Sequence, residues 1–255
     1  MNRAVAILAP LALIALLLAA WEVLCRWTSV PIYRLPPPSL IILALGKNTG
    51  LLAQSAWNTF ALALISLAVA SLTACTIALA AALNGVFERA VRPLAVALQV
   101  TPVIALAPLF QIWAGIDHPK VAVVALTVVV AFFPIYSGAV SGLRSADPDL
   151  QRLFDLYGAT RWQRLTRLLI PSAVPFLLEG HKVAVGLSLV GAVVAEFAAG
   201  SGGSQGLAWR ILEAGNHLQT DKMMAALLVL AVMGGALHAL FQLLERRALV
   251  WWRGR

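Results

Sequence analysis

Five arginines, Arg144, Arg152, Arg161, Arg164 and Arg167, gather with Asp155 in a polar island over residues 143–171 of a chain that is otherwise almost wholly apolar. What they offer is electrostatic work. Lys and Arg resist translocation, so a long basic stretch between two membrane-length apolar runs marks the cytoplasmic side of a membrane protein. The order within the island says more than its charge. Asp155, Gly158, Thr160 and the closing Leu-Ile-Pro171 predict a short helix, a glycine break, a second helix and a proline stop, which is a shaped surface rather than a slack connector.

Outside the island, ionisable groups inside apolar runs are expensive and are therefore functional candidates. Glu196 lies near the outer end of an apolar run, where it faces either a cavity or the water boundary. Glu179 and Lys182, three apart, can pair on one helical face, as a structural ion pair or a gate. Glu22 and Arg26, four apart, read as an interfacial pair. Pro102, Pro108 and Pro134 can kink their helices and shape a cavity. Glu196, Lys182, Pro102 and Pro134 are accordingly the candidates for a solute pathway. Covalent chemistry has no such support: no paired catalytic residues stand at convincing spacing, and no His-Glu-x-x-His occurs. His118, His181, His217 and His238 lack metal-ligand spacing, so no metal site is expected. A phosphate-binding Gly-x-x-x-x-Gly-Lys-Ser/Thr is absent too, and the glycine-rich stretch 200–206 has no lysine to reach phosphates. If ATP powers this protein, a separate subunit binds it.

The elements that position these residues follow from hydropathy. With 255 residues, 61% hydrophobic, 12% charged and a mean hydropathy of +0.87, the chain reads as an all-α integral membrane protein. About 20 apolar residues cross a bilayer core. Six spans are predicted: 4–24, 55–83, 93–115, 121–142, 172–199 and 223–244, in one transmembrane domain over 1–255. Arg3, Arg89, Arg92, the five island arginines, Arg246, Arg247, Arg253 and Arg255 then fall on one side, against Arg26, Arg34, Lys47, Lys120, Arg210 and Lys222 on the other. That bias puts both termini in the cytoplasm. The net charge of +8 therefore marks the inner leaflet rather than nucleic acid, for which no recognition module is present. Residues 40–45 are too short to cross and belong at the interface, and residues 207–220 suit a short surface helix. Trp209, Trp251 and Trp252 sit where interfacial aromatic belts are expected. Cys25 and Cys75 imply neither a disulfide nor a metal.

The run Gly158-Ala-Thr-Arg-Trp-Gln, an Arg-rich turn and Leu168-Leu-Ile-Pro-Ser-Ala-Val-Pro175 resembles the cytoplasmic loop motif of ABC importer permeases, the membrane subunits of binding-protein-dependent systems. Leu35-Pro-Pro-Pro-Ser39, Thr101-Pro102, Ala107-Pro-Leu-Phe110 with Trp113, Gly115 and Ile116, Phe132-Phe-Pro-Ile-Tyr136, Gly142-Leu-Arg144, Asp147-Pro148 and Ala195-Glu196 fit the same pattern, nearest the branch moving sulfonates, taurine, nitrate and pyrimidine vitamin precursors. The resemblance implies the six-helix type I importer architecture in a bacterial inner membrane and a second permease copy, as a homodimer. It further implies two cytoplasmic ATPases that use ATP and Mg, and a periplasmic binding protein. The loop would transmit ATPase closure to the spans, with Arg152, Leu153, Phe154, Asp155, Tyr157, Gly158, Arg161, Arg164 and Pro171 as its coupling residues. One departure stands out. Where the family pattern opens the loop with Glu-Ala-Ala, this chain has Arg152-Leu153-Phe154, with Asp155 three positions on. Leu153, Phe154, Leu156 and Tyr157 can still fill an apolar cleft. Against this reading stand a secondary transporter or channel working alone and an intramembrane enzyme.

Overall fold

Long runs of Ala, Leu and Val without polar interruption leave backbone amides no partner but their own helix in hydrocarbon, and the chain answers with helices almost throughout. The computed structural model describes residues 3–115, 117–199 and 205–252. In order come α1 (Arg3–Trp27), α2 (Pro38–Lys47), α3 (Thr49–Leu83), α4 (Gly85–Val100), α5 (Val103–Ala114) and α6 (Pro119–Arg144). They are followed by α7 (Pro148–Leu156), α8 (Arg161–Arg164), a π-turn (Leu165–Leu169), α9 (Ile170–Ala199), α10 (Leu207–Asn216) and α11 (Thr220–Trp252). Among the described residues four helical stretches are long and apolar enough to cross a membrane: α3, α6, the run from α8 through α9, and α11. The expected span 4–24 lies within α1 and residues 40–45 lie within α2, while α10 takes up only 207–216 of the helix expected over 207–220.

Two expectations need correction. The span predicted over 93–115 is not one helix: α4 and α5 meet at 103°. The cause is Thr101-Pro102, because the residue before proline is driven out of the α region, and Thr101 duly sits extended at ψ 127. Nor is Pro171 a stop. The helix runs from Arg161 into α9 and passes both Pro171 and Pro175. A π-turn over Leu165–Leu169, closed by the Ile170 N–H on the Leu165 carbonyl, widens the helix just before Pro171. The ring that would clash in a regular helix is thereby accommodated.

The chain divides into two compact units. One comprises Met1–Trp57 and Gln205–Ala231. Here Glu22 has a role beyond pairing Arg26 at 2.6 Å: its carboxylate accepts the Ser39 N–H at 3.0 Å and the Ser39 hydroxyl at 2.8 Å. It caps the start of α2, whose own N-cap, Pro37, has no side chain able to do so. Arg210 on α10 donates to Ser55 at 3.1 Å and pairs with Glu213, and the Thr220 hydroxyl donates to the Tyr33 carbonyl at 2.6 Å.

The other unit comprises Asn58–Ser204 and Val232–Arg255, and its core is the crossing of α6 and α9. A Cβ on Gly180 would stand 2.6 Å from the Pro134 carbonyl, and one on Gly138 2.7 Å from the Phe176 carbonyl. Further along the crossing Gly142 meets Ala173 and Gly191 meets Thr127. Small residues let the two backbones touch, which is how helices gain packing energy where lipid is as apolar as leucine. Lys182 on α9 reaches Glu245 on α11 at 3.2 Å, closer than its predicted partner Glu179 at 3.6 Å. His181, next to it, accepts from Ser71 at Nε2 and donates from Nδ1 to the Leu177 carbonyl, both at 2.8 Å.

Gly180→Ala is expected to destabilise the purified chain by about 1–3 kcal/mol through overpacking. Gly186→Ala, at a helical glycine with open space around its missing Cβ, should leave stability unchanged or raise it by up to about 1 kcal/mol; thermal unfolding in detergent distinguishes the two. The same assay applied to Lys182→Met, Glu245→Gln and the double variant should show each single change lowering the midpoint and the pair losing less than the two added together. Additive losses would mean that the two side chains do not interact.

Candidate functional site

The loop between α6 and α9 is built by local chemistry at every joint. Asp147 caps α7, accepting the Asp149 N–H at 2.7 Å, and Pro148 takes the first helical position, where a missing N–H costs nothing. The helix ends at Gly158, whose φ of +62 only glycine adopts freely. Its N–H bonds the Asp155 carbonyl and the Ala159 N–H bonds the Phe154 carbonyl, the double return of a Schellman cap. Two residues later a capping box begins the next helix. The Thr160 hydroxyl accepts the Gln163 N–H at 3.2 Å, and the Gln163 side chain accepts the Thr160 N–H at 2.9 Å. An ion pair between Asp155 and Arg164 closes the turn between α7 and α8.

This geometry sorts the nine predicted coupling residues. Leu153 and Tyr157 are exposed, and Gly158 is the turn itself. Phe154 is half-buried, and Asp155 is engaged by Arg164. Arg152 pairs with Asp149 at 3.1 Å on an open surface, where such a pair contributes little. Arg161 is exposed, and Pro171 lies apart from the turn, inside α9. The solvent face is strongly apolar: Leu156 is 85% exposed, Tyr157 82% and Trp162 66%. Leu150 on α7 and Trp162 on α8 are exposed as well, and neither is among the expected coupling residues. The signal was the spacing of Leu150, Leu153 and Leu156, which makes one stripe of a helix.

The four pathway candidates do not come together. Glu196 is 1% exposed and accepts the Thr59 hydroxyl proton at 2.9 Å. It lies in a packed interior, beside Ala195 in a cluster with Leu62, Val123 and Leu126. Pro102 caps α5 at the bend, and Lys182 is tied to Glu245. Pro134 lines a groove of about 590 Å³ between α4, α6 and α9, where Gln99, Ser137, Ser141 and Glu179 stand among apolar neighbours. No group of three or more metal-ligating side chains occurs among the described residues. What the described residues offer is contact surface for a solute or a partner: an apolar groove and an exposed apolar turn.

Comparison with known proteins agrees. Residues 74–250 match the family described as binding-protein-dependent transport system inner membrane component. The formylaminopyrimidine transport permease protein ThiX of Halalkalibacterium halodurans is 33% identical over 98% of both chains. The riboflavin transport system permease protein RibX of Chloroflexus aurantiacus is 33% identical over 92% of this chain and 87% of its own. A crystal structure of an amino acid ABC transporter aligns with a TM-score of 0.68 over 80% of this chain and 97% of that one; at 16% identity it speaks for the fold alone. The family match spans the whole loop and the α6/α9 crossing that carries it. The chain is thus a multi-pass membrane permease subunit of the ABC transporters, a member of the binding-protein-dependent inner membrane component family.

Proposed function

We propose that this permease works as an ATP-driven importer in a bacterial inner membrane. Two copies line the pathway, both termini face the cytoplasm, and the apolar face of α7 docks into a separate ATPase that uses ATP and Mg. A periplasmic binding protein supplies the solute. The observation that carries the reading is the exposed stripe of Leu153, Leu156, Tyr157 and Trp162 on a turn locked by a Schellman cap, a capping box and the Asp155–Arg164 pair. A soluble surface does not leave such a patch uncovered without a partner. Its rigidity is what a lever between an ATPase and the spans requires, since a conformational change is driven only through contacts that differ between two states.

The likeness to permeases for formylaminopyrimidine and riboflavin supports a pyrimidine-type vitamin precursor as the solute, with sulfonates, taurine and nitrate as the other members of the expected set. The groove along α4, α6 and α9 would supply a wall for the pathway: two hydroxyls, one amide and the Glu179 carboxylate on an apolar surface.

Three outcomes test this. Affinity purification of the wild type should carry an ATPase with it, and Leu156→Ala combined with Tyr157→Ala should weaken that association by about a hundredfold or more, the loss of two buried side chains. Purification alone, with solute movement in liposomes lacking ATP, would instead favour a secondary transporter. Gly158→Asp should insert normally yet hydrolyse ATP without uptake, because a non-glycine residue resists the left-handed turn; normal uptake by this variant would sink the coupling role. With Cys25 and Cys75 replaced by Ala, Ser137→Cys should react with a hydrophilic maleimide while Leu72→Cys, exposed on α3, should not. Equal reactivity would remove the groove from the pathway.

A further inference from the structure

Away from the docking stripe, a cavity of about 700 Å³ opens among the ends of α3 and α6, the start of α4, and the turn between α7 and α8. Three guanidinium groups line it, Arg144, Arg161 and Arg164, against one carboxylate, Glu88. Glu88 is already neutralised by Arg144. Arg164 spends one terminal nitrogen on Asp155, yet its Nε is buried with no hydrogen-bond partner among the described residues. Arg161, three residues before it on the same helix, makes no ion pair among the described residues. Positive charge therefore exceeds negative along the cavity wall, and Arg161 brings a guanidinium there that no carboxylate among the described residues neutralises.

We propose that this cavity is a binding site for a phosphate-class anion, held by Arg161 and Arg164 with Arg144 at its edge. Forked guanidinium donors match phosphate oxygens, which a neutral polar ligand would not satisfy. A bare phosphate is small for the space, so the phosphate of an anionic phospholipid headgroup fits it better. Basic pockets between spans on the cytoplasmic side recognise such headgroups. Free phosphate offers the same chemistry, and the test separates the two sources. Because Arg161 and Arg164 belong to the turn while Arg144 ends α6, an occupant bridging them would brace the turn against α6. The site does not depend on the ATPase docking proposed above.

The full chain, purified in neutral detergent, should be titrated with phosphatidylglycerol, phosphatidylcholine and inorganic phosphate while bound adducts are counted by native mass spectrometry. Phosphatidylglycerol should be retained over phosphatidylcholine, with retention falling about fivefold in Arg161→Gln, the loss of one cation near an anionic headgroup. It should stay unchanged in Arg167→Gln, whose exposed side chain lies outside the cavity. If inorganic phosphate alone shows the Arg161 dependence, the site holds and its ligand is free phosphate. Equal binding by wild type and Arg161→Gln, or an equal loss in Arg167→Gln, would overturn the proposal.

Discussion

The backbone contact between α6 and α9 is the constraint on which the rest of its unit depends. Gly138 against the Phe176 carbonyl and Gly180 against the Pro134 carbonyl leave no room for a Cβ on either helix. Nearer the loop, Gly142 abuts Ala173, and the Ser145 hydroxyl reaches the Ser172 carbonyl at 3.3 Å. The two ends of the loop are therefore held together before the loop begins. What lies between must double back within a short distance, and the caps at Asp147, Gly158 and Thr160 are the means by which it does so without orphaned backbone groups. In the coupling proposed above, a force on the loop would reach α6 and α9 as a pair. Neither helix can yield alone without opening the contact.

Proline shapes the same unit through the hydrogen bonds it removes. Pro175 has no N–H, so the Pro171 carbonyl, four residues earlier, lacks its helical partner. The indole N–H of Trp252, at the end of α11, donates to that carbonyl at 2.8 Å. An aromatic expected only as an interfacial anchor thus also answers a defect that the Pro171 and Pro175 pair creates. At Pro102 the helix breaks instead. The Thr101 N–H makes the last helical bond of α4, to the Ala97 carbonyl at 3.1 Å, and the Thr101 hydroxyl adds a second donor to the same carbonyl at 2.7 Å.

Much of this was legible in the sequence because it rests on local rules. The spans follow from hydropathy, and the helix, glycine break and second helix of the loop follow from capping chemistry at Asp147, Gly158 and Thr160. What escaped depends on distance in the chain or on rules in competition. Thr101-Pro102 announced a break, but the length of the apolar run around it argued for a continuous span, and the proline prevailed. Pro171 announced a stop that a π-turn overrode. Glu245 as the partner of Lys182, and Ser39 as the group capped by Glu22, join residues on separate helices that no periodicity connects. Glu196 was visible as an oddity, yet only packing reveals that Thr59 accompanies it in the interior.

The charge on the loop illustrates why identity and geometry must be weighed together. Asp155 stood out in the sequence as the carboxylate able to replace the acidic residue that related loops carry three positions earlier. In the structure that carboxylate is engaged by Arg164, and the engagement closes the turn. Only one of its oxygens is engaged and the side chain stays largely exposed, so Asp155 can still accept an outside donor beside Arg164. The other outward charges of α7 are Arg152 and Asp149, one of each sign and paired on an open surface, where water screens them strongly. In the docking proposed above, most of the energy would come from the exposed Leu153, Leu156, Tyr157 and Trp162. A cleft that accepts it needs apolar depth, and any carboxylate at its rim would find Arg152 rather than a repelling glutamate.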